Sequence, residues 1–130
     1  MKATGTFEVN LQPLTPYTTG EAGTSLGRMS IDKSFQGDLE AASIGEMLTA
    51  MTAVERSAGY VAIEQVTGSL NGKQGSFVLQ HYGVMNALGQ QLTLEVLPDS
   101  GTGDLTTLTG KMVIRNVDGQ HFYELEYALA

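Results

Sequence analysis

The chain has 130 residues, enough for one domain, spanning 1–130, with a buried core. With 42% hydrophobic and 16% charged residues it is globular rather than disordered. Seven basic residues against 14 acidic ones give a net charge of -7. That argues against nucleic acid or an anionic membrane as partner, because both need a basic surface.

There is no cysteine, so disulfides, thiol catalysis and thiolate metal sites are excluded. The opening MKATGTFEVN lacks an apolar signal region, and no stretch reaches the length of a membrane span. A cytoplasmic protein is expected. The 16 glycines, many at strand ends, suit an all-β chain with tight turns.

Ala3 to Leu11 alternates between apolar and polar residues and reads as a half-buried strand. Gln12 to Gly23, with two prolines, reads as a long loop. Thr24 to Phe35 is a second strand with Met29, Ile31 and Phe35 inward. Lys33 falls on the same face, where its stem is expected to snorkel to water. A turn is expected at Gln36-Gly37. Asp38 to Ala53 reads as a bent strand with Leu39, Ala41, Ser43, Gly45 and Met47 on one face, although Met47 and Met51 also fit a helical spacing.

Tyr60 to Tyr82 carries the strongest signal. Asn71-Gly72 marks a two-residue type I′ turn, because both residues tolerate positive φ. That turn pairs Leu70 with Lys73 and fixes the register: Val66 faces Phe77, Glu64 faces Leu79, Ala62 faces His81, and Tyr60 faces Gly83. Side chains alternate between faces, so Glu64, His81 and Tyr60 share the apolar face. A carboxylate and an imidazole there are unusual, because a buried polar group costs free energy unless it is paired.

Val84 to Gln90 reads as a turn region, and Gln91 to Leu97 as a strand with Leu92, Leu94 and Val96 inward. PDSGTGD, Pro98 to Asp104, is a compact connection. Leu105 to Asn116 and Gln120 to Leu129 form a second hairpin around Asp118-Gly119, with Val117 opposite Gln120. Its outer face sets Lys111 across from Glu126, a weak ion pair. His121 lies opposite Asn116 on the core face.

About eight strands with short links suggest an eight-stranded antiparallel up-and-down β-barrel, with a two-sheet β-sandwich as the alternative. Strand parity places Tyr60, Glu64, His81, Asn116 and His121 at one mouth, capped by the Gln12 to Gly23 loop. Three readings of these residues compete. They form a satisfied interior network in a filled barrel that is structural or binds a partner; they orient a small, mostly apolar ligand; or they catalyse, with burial raising the pKa of Glu64 so that it acts as acid or base beside His81. A two-His, one-carboxylate metal site from His81, His121 and Glu64 matches no known spacing, so no metal is expected. Nor is a cofactor: Gly101-Thr102-Gly103 lacks the Lys and helix of a phosphate cradle, and Gly23 to Gly27 fits G-x-S-x-G without the strand-to-helix elbow.

The segments YVAIEQVTGSLNGKQGSFVLQHYG, VLPDSGTGDLTTLTGKMVI, HFYELEYAL and KSFQGDLEAASIGEML resemble a family of small bacterial proteins of unknown function. The resemblance covers nearly the whole chain. That family is similar in fold to allene oxide cyclase, a calycin-like eight-stranded barrel, which implies strand for Glu46 to Glu55. Allene oxide cyclase binds an unsaturated fatty-acid epoxide and works largely by steric guidance. Its residues do not carry over position by position, so none is assigned. Glu64, Gln80, His81 and His121 lie within the family-like segments and stand as site candidates. The related folds also suggest a homo-oligomer.

Overall fold

The computed structural model describes residues 1–130 and is a closed antiparallel barrel of eight consecutive strands. They are β1 (Lys2–Leu14), β2 (Ser25–Gly37), β3 (Leu39–Met51), β4 (Ala58–Leu70), β5 (Lys73–Asn86), β6 (Gly89–Val96), β7 (Thr109–Val117) and β8 (Gln120–Ala128). The sandwich is excluded, because β1 pairs with both β2 and β8 and closes the sheet on itself. No helix is long and apolar enough to cross a membrane.

The central hairpin has the register that its turn dictates, from Leu70 opposite Lys73 to Tyr60 opposite Gly83. Asn71 and Gly72 hold φ of 48° and 84°, the positive pair that a type I′ turn requires. Asp118-Gly119 repeats the geometry at 52° and 85°, with Val117 opposite Gln120. Asn71 has a second role: its amide donates to the Tyr127 hydroxyl at 2.7 Å and ties this end of the barrel to β8. Asn71→Ala loses both the turn preference and that bond. We expect it to cost about 1–2 kcal/mol in urea denaturation, with Gly72→Asn well below that, since Gly72 faces open space.

Several boundaries differ from the sequence reading. β3 is strand as far as Met51, and Thr52 to Ser57 connect it to β4. The link after β2 is Asp38 rather than Gln36-Gly37. β5 runs on to Asn86, leaving only Ala87-Leu88 as turn. Leu105 ends a short 3-10 turn (Gly103–Leu105), and Leu105 and Leu108 plug the barrel before β7 begins. Glu124 and Glu126 both pair with Lys2 on β1, not with Lys111, because β1 lies beside β8 on that outer face.

The interior is filled unevenly. Towards the Asn71-Gly72 end, Phe35, Leu39, Val66, Leu70, Phe77, Leu79, Val96, Leu125 and Tyr127 pack one core with Leu105 and Leu108. This burial is the main apolar stabilisation of the fold. Tyr123 accepts from the Leu39 N–H at 2.9 Å and donates to the Gln36 carbonyl at 3.0 Å, satisfying its buried hydroxyl. The opposite end carries the loop from Thr15 to Thr24, the β3–β4 connection and the two tight turns at Leu88 and Asp118.

One wall is incomplete. β6 and β7 share a single ladder pair, Glu95 opposite Lys111. Continued upward, that register would set Leu92 against Ile114, Gln91 against Arg115 and Gln90 against Asn116. None of these pairs forms, so the two strands splay apart towards the end opposite Asn71-Gly72.

Candidate functional site

Beneath that open end, four adjacent strands each send one polar side chain to a single point. Glu64 on β4 is fully buried and is the centre. Its carboxylate accepts from Lys33 Nζ (β2) at 2.8 Å, from Ser43 Oγ (β3) at 2.6 Å, and lies 2.5 Å from His81 Nε2 (β5). The other ring nitrogen of His81, Nδ1, is 3.3 Å from the Tyr60 hydroxyl. No buried side-chain polar atom in the protein lacks a partner.

Glycine makes the cluster fit. Gly45 stands opposite Glu64, and a Cβ there would lie 2.8 Å from the Glu64 Cβ and closer still to its backbone. Gly83 stands opposite Tyr60, and a Cβ there would meet the Tyr60 ring at 2.5 Å. The long Lys33 stem passes the rings of Phe7 and Phe35, with its ammonium 5.0 and 5.7 Å from their centroids. Lys33 therefore does not snorkel to water. It turns inward to Glu64, and the barrel closes over it.

The electrostatics overturn the expected raised pKa. Burial does push the Glu64 carboxyl up. The His81 hydrogen bond, the Lys33 charge and the bonds from Lys33 and Ser43 outweigh it and hold the pKa at about 2. Glu64 is thus a permanent carboxylate and no acid–base group at neutral pH. Tyr60 is pushed the other way, chiefly by burial and then by the Glu64 charge, so it keeps its proton.

Above the cluster, the gap between β6 and β7 opens into a cavity of about 580 Å³. Tyr60, Asn116 and His121 line it, together with Val84, Leu92, Met112 and Ile114. Glu64 and His81 do not line it; they lie below, and Tyr60 separates them from it. His121 packs on the Phe7 ring with centroids 5.0 Å apart. His81, His121 and Glu64 form no metal-ligating group. Gln80 points outward and is exposed, so it belongs to no interior site. Leu92, expected in the core, lines the cavity, because the β6–β7 pairing that would cover it is missing.

Lys33 and Arg115 are not among the sequence candidates. For Lys33 a signal exists: inward parity on β2, with the small residues Ser43 and Gly45 on the inward face of the next strand leaving room. Arg115 sits on the outer face of β7 and reaches the cavity only because the seam is open. Nothing local in the sequence shows that.

The comparisons with known proteins bear on the fold. Residues 3–127 match the model of a family described as "Protein of unknown function (DUF3224)". The chain belongs to this family. Among solved structures it is similar to a protein of unknown function from the DUF3224 family of Shewanella oneidensis MR-1, seen by crystallography. The two are 58% identical, with a TM-score of 0.97 over 100% of this chain and 98% of that one. No curated protein matches. The family assignment fixes the fold and leaves the activity open.

Proposed function

We propose that this DUF3224 protein binds a small, mostly apolar molecule in the cavity beneath the β6–β7 seam. The observation that carries this reading is a side-opened cavity of about 580 Å³ within an otherwise filled barrel. Its volume falls in the range of small-molecule sites, and its wall mixes apolar residues with a few convergent polar groups. Tyr60, Asn116 and His121 orient the ligand; Glu64 and His81 act from below, through Tyr60. The rival reading with Glu64 itself as acid–base is not favoured, since Glu64 reaches neither the cavity nor the protonated form.

The test is native mass spectrometry of the protein purified from its own host. Wild-type protein is expected to carry a small molecule. Ile114→Trp, which fills the cavity from β7, is expected to lose it while keeping its melting temperature within a few degrees. The same added mass on both proteins, or none on either, would refute the reading.

The homo-oligomer belongs to the same proposal. Ile44, Leu48, Val61, Ile63 and Tyr82 form an exposed apolar patch on the outer face of β3, β4 and β5. Glu46, the acid beside it, is neutralised by Arg28, so two copies of net charge -7 could meet there without opposing like charges. The same spectra read the mass of the assembly. A cytoplasmic location is part of this proposal too.

A further inference from the structure

We propose that Tyr60, His81 and Glu64 form a proton relay, and that the cavity catalyses enolisation: reversible proton transfer at a carbon next to the carbonyl of a small apolar ligand. The inference rests on the cavity being a ligand site and adds a chemical role to it.

The hydrogen bonds define the relay. Glu64 is a carboxylate that accepts three hydrogen bonds, so the proton in its 2.5 Å contact with His81 belongs to Nε2. In the neutral ring Nδ1 is then a bare acceptor, and the Tyr60 hydroxyl donates to it at 3.3 Å. The lone pairs of the Tyr60 oxygen are left for the cavity that its side chain lines. A phenol whose proton is already directed at a base can accept another. This is the arrangement of a nucleophile or base oriented through an imidazole by a buried carboxylate, here with tyrosine at its head.

The rest of the lining supplies the complement. The chain has 14 acidic residues, yet no Asp or Glu lines the cavity. Its polar groups include His121 and the Asn116 amide, whose donors are unspent, with Arg115 at the outer rim, where its charge also acts on Glu124. Donors without acids favour a ligand oxygen that gains negative charge.

In the step, the ligand C–H bond breaks and its proton goes to the Tyr60 oxygen. The original Tyr60 proton passes to His81 Nδ1. The C–H electron pair moves onto the carbonyl oxygen as an enolate, facing the donors of Asn116 and His121. The imidazolium stands beside the Glu64 carboxylate. Reversal at the same carbon regenerates the ligand; reversal at a conjugated carbon gives its isomer. No oxidant or reductant is needed. Tyr60 is the catalytic residue, and His81 and Glu64 are positioning residues that act through it.

The experiment incubates the full chain in deuterium oxide with 2-indanone or cyclohexanone. It counts deuterium in the ketone by mass spectrometry and follows binding by protein NMR. Exchange is expected at least about tenfold above buffer, falling to background in Tyr60→Phe and His81→Gln that keep the NMR dispersion of the folded protein. The charged or titratable groups around the ring are Glu64 and Tyr60 from β4 and, through Glu64, Lys33 from β2; β6 presents the apolar Leu94. Nitrogen-15 shifts should show neutral His81 protonated on Nε2. Binding without exchange would overturn the relay and leave ligand binding standing. Absence of both binding and exchange, exchange that persists in Tyr60→Phe, or an Nδ1-protonated ring would each overturn it as well.

Discussion

Replacing Glu64 by Gln is expected to destabilise the fold by roughly 3–5 kcal/mol in urea or guanidinium denaturation, since removing one member of a buried ion pair strands the other. The stranded charge is Lys33, whose side chain is 6% exposed against 0% for Glu64. Gln keeps the shape and an acceptor for Ser43, but no negative charge to offset a buried ammonium. The nearby rings of Phe7 and Phe35 offset part of that charge, at about 1–2 kcal/mol for a desolvated contact. They cannot replace a carboxylate at 2.8 Å. Lys33→Met in the Glu64→Gln background removes the stranded charge and should recover at least half of the loss. A single-mutant loss below about 1 kcal/mol would show that Lys33 escapes towards the cavity, and that the carboxylate is not what holds it inside.

How much of the fold and site is legible in the sequence follows from how local each determinant is. Asn71-Gly72 fixes thirteen residues of β4 against β5, because turn type sets register and a period of two sets the faces. The same logic puts Glu64 and His81 on the inner face from the residue pattern alone. The partners of Glu64 are another matter. Lys33 stands opposite Ser43 and Ser43 opposite Val66, while Glu64 stands opposite Gly45. Lys33 reaches Glu64 diagonally across two strand pairs, over the space that Gly45 leaves empty. That contact depends on the stagger of β2, β3 and β4 together, and no single turn encodes it. The sequence suggests the wrong direction for the pKa of Glu64 for the same reason: burial is visible in a strand pattern, whereas donors from other strands are not. The β6–β7 seam is hidden more deeply. Leu105 to Asn116 has the pattern of one long strand, yet Leu105 and Leu108 are spent as a plug, which shortens β7 to nine residues beside an eight-residue β6. Both strands nevertheless reach the splayed end, where Gly89 to Leu92 and Ile114 to Val117 leave their mutual ladder positions unpaired, and no local pattern marks that.

The ion cluster should also write itself into the acid limb of the stability curve. Glu64 has its folded pKa at about 2 against 4.5 as an ordinary carboxyl. A depressed folded pKa means that the unfolded state binds the proton first, so folding loses free energy as pH falls. The contribution of Glu64 is complete above about pH 4.5, declines below it, and is gone near pH 2. At 1.36 kcal/mol per unit the full effect is roughly 3 kcal/mol, undiminished by solvent because the side chain is not exposed. Other acids blur the raw curve: the net charge of -7 fades as pH approaches the isoelectric point near 4.6, which relieves repulsion and works in the opposite direction. The difference between wild type and Glu64→Gln cancels those terms. That difference, from urea titrations between pH 7 and pH 3, is expected to hold constant down to about pH 5 and then to shrink steadily, because a protonated Glu64 and a glutamine leave Lys33 equally unpaired. A difference flat to pH 3 would place the titration of Glu64 outside this window and remove the carboxylate's three donors as its cause. A difference that grows on acidification would reverse the sign of the linkage, and would mean that Glu64 enters the folded state protonated.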